Sequence, residues 1–111
     1  MSEFSEVKLE IFVPEDYVEA VGQALHEAGA GRIGNYDHCL SITRVSGQWR
    51  PLPGADPFDG EVGQLSQGTE CKIEVNIKAD LARDAIRAVR AVHPYEEPLI
   101  NVVPLVNELY K

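Results

Sequence analysis

His93-Pro94-Tyr95-Glu96-Glu97-Pro98 sets one imidazole, one phenol and two carboxylates between two prolines. Each proline fixes its own backbone and pushes the preceding residue out of helix, so these polar groups sit on a stiff connector. Imidazole with carboxylate suits zinc, copper, nickel or iron, which makes His93, Glu96 and Glu97 candidate ligands of a divalent metal ion. The same residues also read as a helix stop, with His93 capping the last turn, Pro94 ending it and the carboxylates pairing with arginines. Adjacent glutamates on an extended segment point to opposite sides, which opposes their sharing one ion. Apart from any metal, His93, Tyr95 and Glu96 are candidates for a ligand or an interface.

Three further clusters carry chemistry. Gly29-Ala30-Gly31-Arg32-Ile33-Gly34-Asn35 could hold an anion on successive free amides, which places Gly31, Gly34, Asn35 and the following Tyr36 among the ligand candidates. The segment follows a helix rather than preceding one, so it lacks phosphate-loop geometry, and a tight turn that needs glycine explains it as well. Cys39 has His38 beside it, but neighbours in a strand face opposite ways, and a nucleophile needs a base within hydrogen-bond reach. Cys39 therefore reads as a buried or interface thiol, and Cys71 as a core residue. Trp49, the one tryptophan, either anchors an interface or folds back over its own domain. Arg83, Arg87 and Arg90 form a helical stripe that reads as a solvated face, with Asp84 pairing to Arg87.

The elements that must position these groups follow from periodicity. Val7 to Val13 alternates apolar with mostly polar residues, as a strand with one buried face does. Pro14 begins a helix, with Glu15 and Asp16 at its positive end and Tyr17, Val18, Val21, Leu25 and Ala28 as its apolar stripe; Gly29 caps it. A second strand runs from Tyr36 to about Val45. Residues 46–68, rich in glycine and proline, read as a long loop, functional or disordered, with room for a short hairpin near Trp49. Cys71 to Lys78 is the third strand. Asp80 caps a second helix whose stripe is Leu81, Ala85, Val89 and Val92. Leu99 to Val106 is the fourth strand, with Pro104 suiting an edge or an end.

This order predicts an α+β, ferredoxin-like βαββαβ sandwich: a four-stranded antiparallel sheet with both helices on one face. The other face then has no cover within the chain, and apolar side chains there would need a partner subunit. The 111 residues suit a single domain, 1–111. Hydrophobic residues at 44% and charged residues at 25% are ordinary for a soluble globular protein. A net charge of −8 argues against nucleic acid and anionic lipid as partners. No apolar run reaches about 18 residues, and the N-terminus carries no secretory pattern, so the expected location is the cytoplasm, where the two cysteines stay reduced.

Three segments in order carry a resemblance over about Lys8 to Leu105. They are Gly29 to Cys39, then Gly47-Gln48-Trp49-Arg50-Pro51 through Gly54, Pro57, Gly60 and Gly63, then His93 to Pro98. Together they resemble the PII/CutA-like domain inserted in YqfO-type members of the Nif-three-like family. The resemblance implies a PII/CutA-like fold and self-association, as a homotrimer through the sheet face. It also implies a free-standing accessory domain, not itself catalytic, that serves as a regulatory or ligand-binding protein. A separate metal-dependent hydrolase is the implied partner, because the family's two-metal chemistry lies in flanking domains; a purely structural oligomer is the other reading. Where related sequences carry an acidic residue shortly after the glutamate pair, this chain has the amide of Asn101. The expectation is that the 46–68 loop and the glycine connector meet the His93 to Pro98 turn near a subunit boundary and build a pocket there.

Overall fold

A computed structural model describes residues 4–111. Strand β1 (Glu6–Val13) leads through a 3-10 turn (Glu15–Tyr17) into helix α1 (Val18–Glu27). The glycine connector leads to β2 (Ser41–Trp49), and a loop leads to β3 (Ser66–Lys78). Helix α2 (Ala79–Val92) follows at once, then β4 (Ile100–Pro104) and a last 3-10 turn (Asn107–Tyr110). The sheet order is β2-β3-β1-β4, with every neighbouring pair antiparallel. The predicted βαββαβ sandwich is the fold.

Alternation in β1 and β3 builds the core. Val7, Leu9, Ile11 and Val13 face the helices together with Ile73, Val75 and Ile77. Val21 and Leu25 of α1 and Ala82, Ala85 and Val89 of α2 close over them. The buried stripe of α2 is thus turned slightly from the expected one: Leu81 and Val92 lie at its margin, and Ala82 takes the inner place. Helix α2 starts at Ala79, so Asp80 lies within its first turn, where it complements the helix dipole instead of capping it. Pro14 likewise precedes a 3-10 turn, and α1 proper begins at Val18.

The open face of the sheet has no cover among the described residues and is largely polar. Its rows are set by register: Lys8 beside Asn76 and Val103, Glu10 beside Glu74 and Asn101, and Phe12 beside Lys72. Lys8 Nζ reaches Glu74 Oε2 at 2.7 Å and Glu10 Oε2 at 3.2 Å, so one ammonium bridges two carboxylates that face each other across the strands. These bonds raise the Lys8 pKa, Glu74 first, and Lys8 in turn holds the Glu74 carboxyl below its usual range. The face is therefore ion-paired and polar, with Phe12 and Val103 as apolar members. Large apolar side chains lie exposed at the sheet edges instead: Ile42 on β2 and Val102 on β4, which share the helix face with Ile73 and Leu9, and Leu99 and Val106 around β4.

Strand β2 begins at Ser41, later than expected, and runs on to Trp49, while β3 begins at Ser66. The loop is accordingly 50–65, shorter than residues 46–68. The pairs from Val45↔Glu70 to Trp49↔Ser66 lie beyond the last β1 partner, Val13↔Cys71, so they project as a two-stranded ribbon.

Candidate functional site

His93 ends α2. Its N–H donates to Val89 O at 2.9 Å, and Pro94 forces it extended, at φ −78° and ψ 135°. The side chain is buried at 8% exposure. Tyr95 N–H donates to His93 Nδ1 at 3.2 Å, so Nδ1 is the acceptor, and Nε2–H donates to Phe12 O at 2.7 Å. Both ring nitrogens are therefore consumed by backbone. Burial pushes the imidazole below the usual histidine range, opposed in part by the Phe12 carbonyl and the Glu70 carboxylate. His93 clasps the end of α2 to the end of β1 as a neutral group.

Tyr95 and Glu96 are engaged in the same manner, while Glu97 is exposed. Tyr95 O–H donates to Glu70 Oε1 at 3.1 Å, and burial, followed by that carboxylate, drives its pKa up. The Tyr95 ring lies 4.8 Å from His93 and 5.9 Å from Phe58, and Phe58 meets Tyr17 edge-on at 6.0 Å. Glu96 Oε1 accepts from Asp56 N–H at 3.0 Å. Trp49 Nε1–H donates to Asp59 O at 3.0 Å. The loop after β2 thus does meet the His93 to Pro98 turn, through Phe58 and Asp56.

The glycine connector does not join them. Gly31 N–H donates to Asn76 O, and Cys39 N–H donates to Gly31 O. Asn76 pairs with Lys8, whereas His93 bonds Phe12, four residues further along β1. At about 3.3 Å per residue the two anchors are roughly 13 Å apart along the strand. Gly31, Gly34, Asn35 and Tyr36 therefore occupy the opposite end of the sheet from Trp49, His93, Tyr95 and Glu96. The expected pocket joining all of them is not formed within one chain. Gly31 holds φ +79°, and a Cβ there would meet Cys39 O at 3.0 Å and Cys39 N at 3.1 Å, which is why glycine stands there.

The three residues read from sequence as metal ligands are not gathered within the chain either. His93, Glu96 and Glu97 do not converge, because both His93 nitrogens face backbone and Glu96 reaches into the loop. Among the described residues, one group of three potential ligands gathers its donor atoms within 4.8 Å of one another: His26, Asp37 and His38. His26 closes the last turn of α1; Asp37 and His38 end the connector. The two imidazoles stack with centroids 3.7 Å apart at 19°, and His38 Nδ1 lies 2.9 Å from Asp37 Oδ1. The His38 bond, first among its causes, holds the Asp37 carboxyl below its usual range. Sequence reading missed this group because the residues are eleven and twelve apart on different elements. The one available signal was that two of three histidines flank the glycine connector.

Beside the connector, Lys8, Ile33, Cys39, Leu40, Ser41, Glu74, Val75 and Asn76 line an open groove of about 400 Å³. Cys39 and Cys71 are both free thiols, and Cys39 Sγ contacts Asp37 O at 3.6 Å. No helix among the described residues is long and apolar enough to cross a membrane.

This architecture is that of the PII/CutA-like proteins. The divalent cation tolerance protein CutA1 of Thermus thermophilus matches with a TM-score of 0.68 over 95% of this chain and 90% of that chain, at 23% identity. A narrower relation is stronger. A Bacillus cereus protein related to NIF3 matches with a TM-score of 0.82 at 39% identity, over 96% of this chain and 27% of that one. In sequence, the chain is 41% identical over 98 residues to the GTP cyclohydrolase 1 type 2 homolog of Bacillus subtilis, covering 88% of this chain and 26% of the relative. It is 42% identical over 96 residues to the protein of that name from Mycobacterium tuberculosis, covering 86% and 25%. No family model matches the chain. The chain is thus a homologue of a segment of NIF3-related proteins, with a PII/CutA-like fold, and it spans about a quarter of the length of the relatives it matches.

Proposed function

We propose that this chain is a non-catalytic, self-associating ligand-binding module of the PII/CutA-like type, acting in the cytoplasm. The observation that carries the reading is the division of the surface. In the His93 to Pro98 turn, His93, Tyr95 and Glu96 are engaged by their own chain, whereas apolar residues at the sheet margins, Ile42, Val102 and Val106 among them, stand uncovered. Identical copies meeting through these margins and the ion-paired sheet face, as a homotrimer, would cover them. The ligand surface is the connector side, with Gly31, Gly34, Asn35 and Tyr36 beside the groove. A neighbouring copy is what could bring Trp49, Tyr95 and Glu96 up to it.

The two free thiols support a reducing location. The relatives' name and length support a second reading, in which the module regulates or covers a metal-dependent hydrolase. Sedimentation equilibrium at micromolar concentration tests self-association. Three times the mass of the chain is the expected result, and a single-copy particle contradicts it.

A further inference from the structure

We propose that His26, Asp37 and His38 form a binding site for one transition-metal dication of the zinc, nickel, copper or cobalt class. The donors come from two elements that the fold brings together, the end of α1 and the end of the glycine connector. Their chemistry is consistent: two imidazoles and one carboxylate are the nitrogen and oxygen ligands that suit these ions, and three protein ligands leave a position open.

The hydrogen bonding prepares the site. An ionised carboxylate only accepts, so the 2.9 Å contact makes His38 Nδ1 the donor to Asp37 and leaves the Nε2 lone pair of a neutral His38 free. Ligation by both residues displaces that proton, because the two ring nitrogens point to opposite sides of the imidazole; the ion then takes Nδ1 and Oδ1, which already lie 2.9 Å apart. Neither ring nitrogen of His26 bonds another protein group among the described residues, in contrast to both nitrogens of His93. His38 also holds φ +56°, the one positive value at a non-glycine residue among those described, and this backbone is what turns its ring onto His26.

In the stacked arrangement the two lone pairs lie in nearly parallel planes, so an ion requires one ring to swing. Donor atoms within 4.8 Å must close to roughly 3.3 Å for tetrahedral bonds near 2.0 Å. His38 and Asp37 are about half exposed, at 53% and 54%, and exposed rotamers interconvert in about nanoseconds, so the adjustment is a local one. A bound ion would pin the connector to α1 and stiffen the wall of the neighbouring groove. The site needs one copy only, so it stands or falls separately from self-association.

The test is titration of Zn²⁺ and of Co²⁺ into the untagged chain at pH 7.5, read by calorimetry and by the visible absorption of bound Co²⁺. One ion per chain is expected. His26→Ala and His38→Ala should each weaken binding at least about tenfold, the pair should abolish it, and Asp37→Asn should weaken it by about tenfold. Glu97→Gln should leave it unchanged. Circular dichroism reads whether the variants fold, and His38→Gln is the milder replacement if the alanine variant does not. A wild-type chain that takes up neither ion, or a His26→Ala/His38→Ala chain that binds as well as wild type, overturns the proposal.

Discussion

The two ends of the sheet use the same residue types in opposite ways. At one end, His93, Tyr95 and Glu96 each bond another part of the chain, and an aromatic file from Tyr17 through Phe58 and Tyr95 to His93 ties the loop down. At the other, the side chains of His26, Asp37 and His38 gather against one another, with Asp37 and His38 exposed and His26 half-buried. A histidine whose two nitrogens are taken by backbone holds structure, while one with a free nitrogen beside a carboxylate is available for chemistry. Residue type does not separate the two cases; partner accounting does.

The comparison breaks first at His93. His93→Ala leaves the Phe12 carbonyl and the Tyr95 N–H without partners and opens a void, at a cost of about 3 kcal/mol in urea unfolding. An unchanged midpoint would mean that the clasp is not closed. Gly31→Ala comes next, at about 2 kcal/mol, because the new Cβ meets Cys39 backbone at a left-handed position. Phe58→Ala removes two ring contacts from a half-exposed site, for about 1 kcal/mol, and Trp49 fluorescence should report the loosened loop. His26→Ala and His38→Ala should move stability by less than about 0.5 kcal/mol, as surface changes do, since their role at the open end is not to hold the fold.

Acid sharpens the contrast. The folded pKa of His93 lies below its unfolded value of about 6.5, so the unfolded chain binds more protons and stability rises with pH. Its contribution is complete above pH of about 6.5 and is lost as pH falls from there through the folded value. His93→Gln should flatten that slope in unfolding midpoints measured between pH 7.5 and 5.5. The depressed carboxyls of Asp37 and Glu74 act in the same direction only at lower pH, through the carboxylate range.

Much of the fold is legible in the chain. The alternation of Val7 to Val13 and Cys71 to Lys78 dictates two central strands, and Pro94 dictates where α2 stops. The ribbon at Ser46 to Trp49 is legible only as room for a short hairpin near Trp49, because its half-buried positions Val45, Gly47 and Trp49 include a glycine and make too short an alternation to set the strand's bounds. The polar character of the open face is readable in Lys8, Glu10, Lys72, Glu74 and Asn76, which alternate with the core residues of β1 and β3. The separation of the connector from the His93 turn follows from strand direction, which a list of junctions does not convey. His26 and His38 meet only once Gly31 has folded the connector back onto β3, a tertiary event without a spacing rule.

The most direct test is the ring nitrogen resonances of the three histidines, followed by NMR through a pH titration and then through addition of Zn²⁺. His93 should hold its Nε2–H tautomer below pH 6.5 and ignore zinc, while His26 and His38 shift together with the ion. A His93 that titrates as a free imidazole, or that moves with zinc while His26 and His38 stay fixed, would contradict the division of the molecule into a closed end and an open one.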